Sequence, residues 1–151
     1  MKNKIPLFAL LVLVAVIVFA FLPKDDTKID NSKGIQFIES DWKKALEEAK
    51  KQHKLIFLDA YASWCGPCKM LKRKTFPNQE VGDFFNQNFV NVAIDMEKGV
   101  GPSLSELFSV DAYPTLIITD ADGNMLTYTK GFMEPKQLME FGKQAITLKK
   151  K

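Results

Sequence analysis

Trp64-Cys65-Gly66-Pro67-Cys68-Lys69 contains both cysteines of this chain, two residues apart, with no other cysteine for either to pair with. That arrangement suits a working dithiol better than a structural staple. On the first turn of a helix, thiols at this spacing can close a small disulfide ring. The exposed amides there stabilise a thiolate, which makes Cys65 the natural nucleophile. Just upstream, Leu55-Ile56-Phe57-Leu58-Asp59-Ala60-Tyr61 is a short apolar and aromatic run of the kind that makes a buried strand. The implied order is strand, tight turn, Cys65, helix.

With those residues in place the chain resembles the thioredoxin superfamily, and within it the extracytoplasmic thioredoxin-like domains of thiol:disulfide interchange proteins. The resemblance runs from about Phe37 to Ile146. The remaining sequence reads as alternating helices and strands. Trp42, Ala45, Leu46 and Ala49 recur at helical spacing behind Ser40 as a cap, predicting an amphipathic helix over 41–52. Pro77 and Asn78 interrupt the helix that Cys65 begins, Val81, Phe84 and Phe85 suggest a second helical piece, and Phe89 to Asp95 reads as the next strand. Pro102 starts a short helix with Leu104, Leu107 and Phe108 on its apolar side. Thr115 to Thr119 and Met125 to Thr129 flank Asp120-Ala121-Asp122-Gly123-Asn124, a hairpin signal. Pro135 opens a last helix in which Leu138, Phe141, Ala145 and Leu148 face inward. Periodicity alone supports an α/β domain. The thioredoxin-like fold, a central mixed β-sheet flanked by helices on both faces, is what the resemblance implies.

The resemblance also assigns roles. Cys65 and Cys68 would be the catalytic pair. Tyr113-Pro114-Thr115 stands where the family has a cis-proline loop facing the dithiol, so that Pro114 would present the backbone of Tyr113 and Thr115 to an extended substrate segment, as a strand edge accepts another strand. Asp59 matches the family's buried acid. Desolvation should raise its pKa and let it exchange a proton with Cys68, directly or through water. Many family members pair that acid with a lysine on the neighbouring strand, where this chain has Asn91, which puts a charge-paired relay in doubt. Trp64, with Gly66 and Pro67, would shield the cysteines and contribute to substrate binding. Gly131 matches a glycine that permits close substrate approach. Lys69, Lys72, Arg73 and Lys74 form a cationic cluster that reads chiefly as a solvated helix face, with Lys69 nearest the motif.

Around this domain the chain divides into 1–22, a signal peptide or an N-terminal membrane anchor; 23–36, a polar linker; and 37–151, the thioredoxin-like domain. Met1 to Lys4 carries Lys2 and Lys4, and Ile5 to Leu22 is apolar without a charge. Val18-Phe19-Ala20 would suit cleavage by a signal peptidase, while the length of the run equally suits a membrane anchor. Either reading places the domain outside the cytoplasm, in the periplasm or on the outer face of the cytoplasmic membrane. Lys2 and Lys4 supply most of the net charge of +3, so the domain is close to neutral and nothing points to nucleic acid. His53, the single histidine, falls in a polar turn, and one such pair of cysteines with one histidine does not make a four-ligand zinc site. Lys69 in place of a histidine after Cys68 excludes haem attachment. No cofactor is expected beyond the dithiol itself.

Reduced Cys65 would attack a substrate disulfide, and Cys68 would then displace the substrate from the mixed disulfide. The Gly66-Pro67 dipeptide resembles that of reducing thioredoxins, favouring a reductase supplied by a membrane thiol-electron donor, acting on proteins with disulfides, and expected to be a monomer. The rivals are a disulfide oxidase or isomerase using the same residues and a non-catalytic thioredoxin-like binding module.

Overall fold

The computed structural model describes residues 33–148; the apolar run at 5–22 and most of the stretch read as a linker lie outside the described residues. Two strands organise the fold. Leu55–Tyr61 (β2) and Phe89–Asp95 (β3) are buried along nearly their whole length, as strands covered on both faces must be. They pair in parallel, Leu55 against Phe89 through Tyr61 against Asp95. On the far side of β3 lies the short parallel strand Ile38–Glu39 (β1). Thr115–Thr119 (β4) runs antiparallel to β2, and Met125–Lys130 (β5) antiparallel to β4. The result is a mixed five-stranded sheet of order β1-β3-β2-β4-β5.

Five α-helices join the strands: Trp42–Gln52 (α1), Gly66–Met70 (α2), Gln79–Asn88 (α3), Gly101–Leu107 (α4) and Pro135–Leu148 (α5). Because successive strand residues point to opposite faces, β2 feeds two cores. Ile56, Leu58 and Ala60 pack with Ala45 and Ala49 of α1, Leu104 of α4 and Ile117 of β4. Leu55 and Phe57 pack with Phe85 of α3, Phe89, Ile118, and Leu138 and Phe141 of α5. Each fully buried side chain of this size contributes about 1.5–3 kcal/mol. Asp59 falls on the Phe57 face and is only 1% exposed.

The structure departs from the sequence expectations at five points. The cap of α1 is Asp41, whose Oδ1 accepts the Lys44 amide at 2.9 Å; Ser40 instead turns the chain with φ 58°. Leu107 is 66% exposed and Leu148 42% exposed, so neither belongs to a core. Helix α2 runs into a π-helical turn, Leu71–Thr75, closed by the Phe76 amide donating to the Leu71 carbonyl at 2.9 Å. Folded structure also begins inside the stretch read as linker. Ile35 is buried and its amide donates to the Phe76 carbonyl at 2.8 Å. Gly34 lies so close to α3 that a Cβ at Gly82 would stand 2.4 Å from its carbonyl carbon, a distance only glycine tolerates. Tight seating of this segment carries the chain into β1, which brings Glu39 into register with Ala93.

Candidate active site

The dithiol sits where β2 hands over to α2. After Tyr61 the chain turns tightly, with the Cys65 amide donating to the Ala62 carbonyl at 3.1 Å. Cys65 is the N-cap of α2 in an extended conformation, and Pro67, in the first turn, suits a helix start because its missing amide has no partner to lose there. The Cys68 amide donates to Cys65 Sγ at 3.1 Å. A helix start thus places a backbone donor on the sulfur that must carry negative charge when reduced. Cys65 and Cys68 are joined in a disulfide with S–S 2.06 Å and Cα–Cα 5.4 Å. Both are buried, packed with Ala62 and against Tyr61 and Tyr113.

Gly66, Pro67 and Lys69 are exposed beside them, and Trp64 is 66% exposed, unusual for so large an apolar ring. Its position is nevertheless defined. The indole Nε1 donates to Glu97 Oε2 at 2.9 Å, and the ring meets Tyr113 edge-on with centroids 6.0 Å apart. The turn after β3 holds this segment at further points. The Met96 amide donates to the Tyr61 carbonyl at 2.8 Å, and Lys98 Nζ reaches Asp95 at 3.0 Å and the Ser63 hydroxyl at 3.5 Å. Burial works to raise the Asp95 pKa, yet the Glu97 amide and the Lys98 ammonium outweigh it and hold the carboxyl below its ordinary range. Asp95, Glu97 and Lys98 were not singled out in the sequence; nothing in their spacing marks them, because their role depends on β3 ending beside β2.

The Tyr113–Pro114 peptide bond is cis. The Pro114 carbonyl accepts the Gly131 amide at 2.8 Å, and an ion pair between Asp111 and Lys130 ties the same loop to the end of β5. Gly131 has φ 91°, a backbone conformation that favours glycine, while a Cβ built there meets nothing within 4 Å. Backbone geometry therefore accounts for this glycine without any crowding. Thr115 is buried and its hydroxyl donates to the Ala112 carbonyl at 2.8 Å. Its side chain is thereby committed to the loop.

On the inner side Asp59 is buried, and neither carboxylate oxygen has a hydrogen-bond partner among the described residues. Desolvation pushes its pKa from the ordinary 3.8 up to about 7; the Lys72 ammonium opposes that rise and the Glu39 carboxylate adds to it. Asn91 does not stand in for a lysine here. It pairs with Phe57 in the sheet, and its amide nitrogen donates to Asn86 Oδ1 at 3.1 Å and to the Gln36 carbonyl at 3.3 Å. The residue opposite Asp59 is Ala93. The cation acting on Asp59 comes instead from the π-helical turn: Lys72, whose ammonium also lies 3.7 Å over the Tyr61 ring. Among the cluster's cations Lys72, and not Lys69, is thus the one coupled to the buried acid. Sequence periodicity could not reveal this, since it depends on the Leu71–Thr75 turn lying against Tyr61 and Asp59 of β2.

The family described as a thioredoxin-like domain matches residues 42–146. Thiol:disulfide interchange protein DsbD of Pseudoalteromonas atlantica is 29% identical over 110 residues, which cover 70% of this chain and 18% of that protein. The chain therefore spans less than a fifth of the length of that curated relative. Among solved structures, a putative disulphide-isomerase from Bacteroides thetaiotaomicron is 38% identical with a TM-score of 0.67, covering 76% of this chain and 95% of that one. The C-terminal domain of DsbD from Neisseria meningitidis, in its oxidised form, has a TM-score of 0.61 at 24% identity, covering 72% and 98% of the two chains; that likeness shows the fold.

Proposed function

This chain belongs to the thioredoxin-like domain family, in which it carries the Cys65–Cys68 pair of a thiol:disulfide oxidoreductase, and on that premise we propose that it reduces protein disulfides outside the cytoplasm. The observation that carries the chemistry is the disulfide at the start of α2, with the Cys68 amide directed at Cys65 Sγ. In the reduced protein the Cys65 thiolate attacks one sulfur of a substrate disulfide. A new S–S bond joins Cys65 to substrate, and the other substrate sulfur leaves as a thiolate that takes a proton. Cys68 then gives its proton to Asp59, attacks Cys65 Sγ, and expels the second substrate sulfur, so the substrate gains the two electrons the dithiol loses.

Trp64 and the Tyr113–Pro114 segment form the docking side of this reaction. The backbone at Tyr113 receives an extended substrate segment, with the Trp64 indole beside it and Gly66 and Pro67 leaving the approach unobstructed. The direction rests on the dipeptide. Gly66-Pro67 places no cation next to Cys65, and without extra stabilisation of the thiolate the dithiol remains a good electron donor. A reductant in an oxidising compartment needs electrons from across the membrane, so the donor is a membrane thiol-electron transporter. The apolar run at 5–22 supplies export or anchoring, and the likeness to DsbD relatives supports the same compartment.

A second reading, isomerisation, is favoured by the description of the 38% identical Bacteroides thetaiotaomicron chain as a putative disulphide-isomerase. Equilibration of the protein with glutathione separates the two. A reductase stays mostly oxidised in buffers where an isomerase is already reduced; a dithiol reduced that easily would contradict the proposal.

A further inference from the structure

Glu39, Ala93 and Asp59 form one row across β1, β3 and β2. Neighbouring strands are about 4.8 Å apart, which puts the two acidic residues' backbones about 10 Å from each other. Ala93 stands in the row between them, and the three residues line a cavity of about 210 Å³ whose apolar wall is Ile35, Phe37, Phe76 and Pro77. Its lining includes buried Asp59 and Ala93 together with exposed Lys33, Glu39 and Lys72. A water molecule's share of liquid volume is about 30 Å³, so the cavity has room for several. Both Asp59 oxygens are otherwise unpartnered, the condition under which a buried polar group most needs water.

We propose that this cavity is the exit path for the proton that Asp59 takes from Cys68, and that Lys72 and Glu39 act with opposite sign as positioning residues controlling its release. The inference rests on the reading of Asp59 as proton acceptor. When Cys68 loses its proton to attack Cys65, Asp59 becomes neutral; the proton then passes through cavity water to solvent and the carboxylate is restored. The charged and titratable groups that line the cavity or act on Asp59 are Lys33 before β1, Glu39 in β1, Tyr61 further along β2, and Lys72 on the π-helical turn. Of these, Lys72 favours the carboxylate and Glu39 the protonated form. Lys72 lines the cavity, and its ammonium lies 3.7 Å over the Tyr61 ring. Glu39 lines the same cavity and is exposed to solvent.

The test is a carbon-13 carboxyl titration of Asp59 in the full-length oxidised protein, accompanied by the pH dependence of disulfide reduction, in wild type, Lys72→Met, Glu39→Gln and Asp59→Asn. Lys72 and Glu39 are exposed, so their variants should fold. The wild-type inflection is expected near pH 7, moving upward in Lys72→Met and downward in Glu39→Gln, with the pH–rate profiles following. An unmoved inflection, or shifts of the same sign in both variants, overturns the proposal. If Asp59→Asn flattens the pH–rate profile while the other two leave the inflection in place, only this inference fails. If Asp59→Asn leaves the profile unchanged, the proton-acceptor reading fails with it.

Discussion

The outer and inner sides of the dithiol are built on opposite principles. Outside, Trp64 is exposed yet tethered, its indole bonded to Glu97 and edged against Tyr113. Inside, Asp59 is enclosed yet unbonded, with charges near it and no donor on either oxygen. A tethered exposed ring presents area to a partner at small entropic cost, whereas an unpartnered buried carboxyl is destabilising unless it is protonated. Among the described residues Asp59 is the buried carboxyl that bears this cost, and Asn91 Oδ1 is the other buried side-chain atom without a partner. The contrast suggests that recognition and proton handling are carried by separate sets of residues, and it can be broken experimentally from either side.

Replacing Cys65 with serine removes the element both sides share, and has the largest expected effect: disulfide reduction falls to background while substrate still binds. Retention of turnover by Cys65→Ser would show that neither side serves this dithiol.

Next in size is the inner side, read through stability. Asp59 has its pKa raised from 3.8 to about 7, so between those values the native state holds a proton that the unfolded state has released. Folding stability is therefore fully present below about pH 4 and declines as pH rises toward 7, by on the order of 4 kcal/mol. Urea unfolding at pH 5 and pH 8 should show the part of this loss that falls between pH 5 and about 7, roughly 2.5 kcal/mol, in the wild type and its disappearance in Asp59→Asn. The same variant should reduce disulfides about a hundredfold more slowly, the lower range for loss of a general acid or base. Equal pH dependence in the two proteins would remove the inner half of the contrast.

The outer side should give smaller effects confined to binding. Trp64→Ala is expected to raise KM about tenfold, equivalent to about 1.4 kcal/mol, with kcat nearly unchanged. Glu97→Ala, which leaves the ring but removes its tether, should raise KM about threefold, as expected for a partly exposed hydrogen bond. A change in kcat or in the pH profile with either variant would mean the two sides are not separate.

How much of this was legible in the sequence follows from what each feature depends on. Strand β3 was readable at both ends, Phe89 and Asp95, because a strand buried on both faces is mostly apolar, here with Asn91 as the one polar residue before Asp95. The Cys65 helix start and the hairpin at Asp120 to Asn124 were readable for a similar reason, as their signals are local. Leu107 and Leu148 misled because a short helix and the end of a long one have no neighbour covering that side. Ser40 and Asp41 both have capping side chains, and only the backbone turn at Ser40 decides for Asp41. The inner charge pair was least accessible. It depends on Ala93 rather than Asn91 lying opposite Asp59, and on a π-helical turn that sets Lys72 over the Tyr61 ring. Register and helix phase arise from tertiary packing, which single-residue patterns do not encode.

The equilibrium reduction potential of the Cys65–Cys68 pair in the full-length protein tests the central claim most directly, with glutathione as the reference couple and Trp64 fluorescence as the reporter. The account predicts a potential near that of reducing thioredoxins, about −270 mV. A value between about −120 and −180 mV, in the range of oxidases and isomerases, would contradict it.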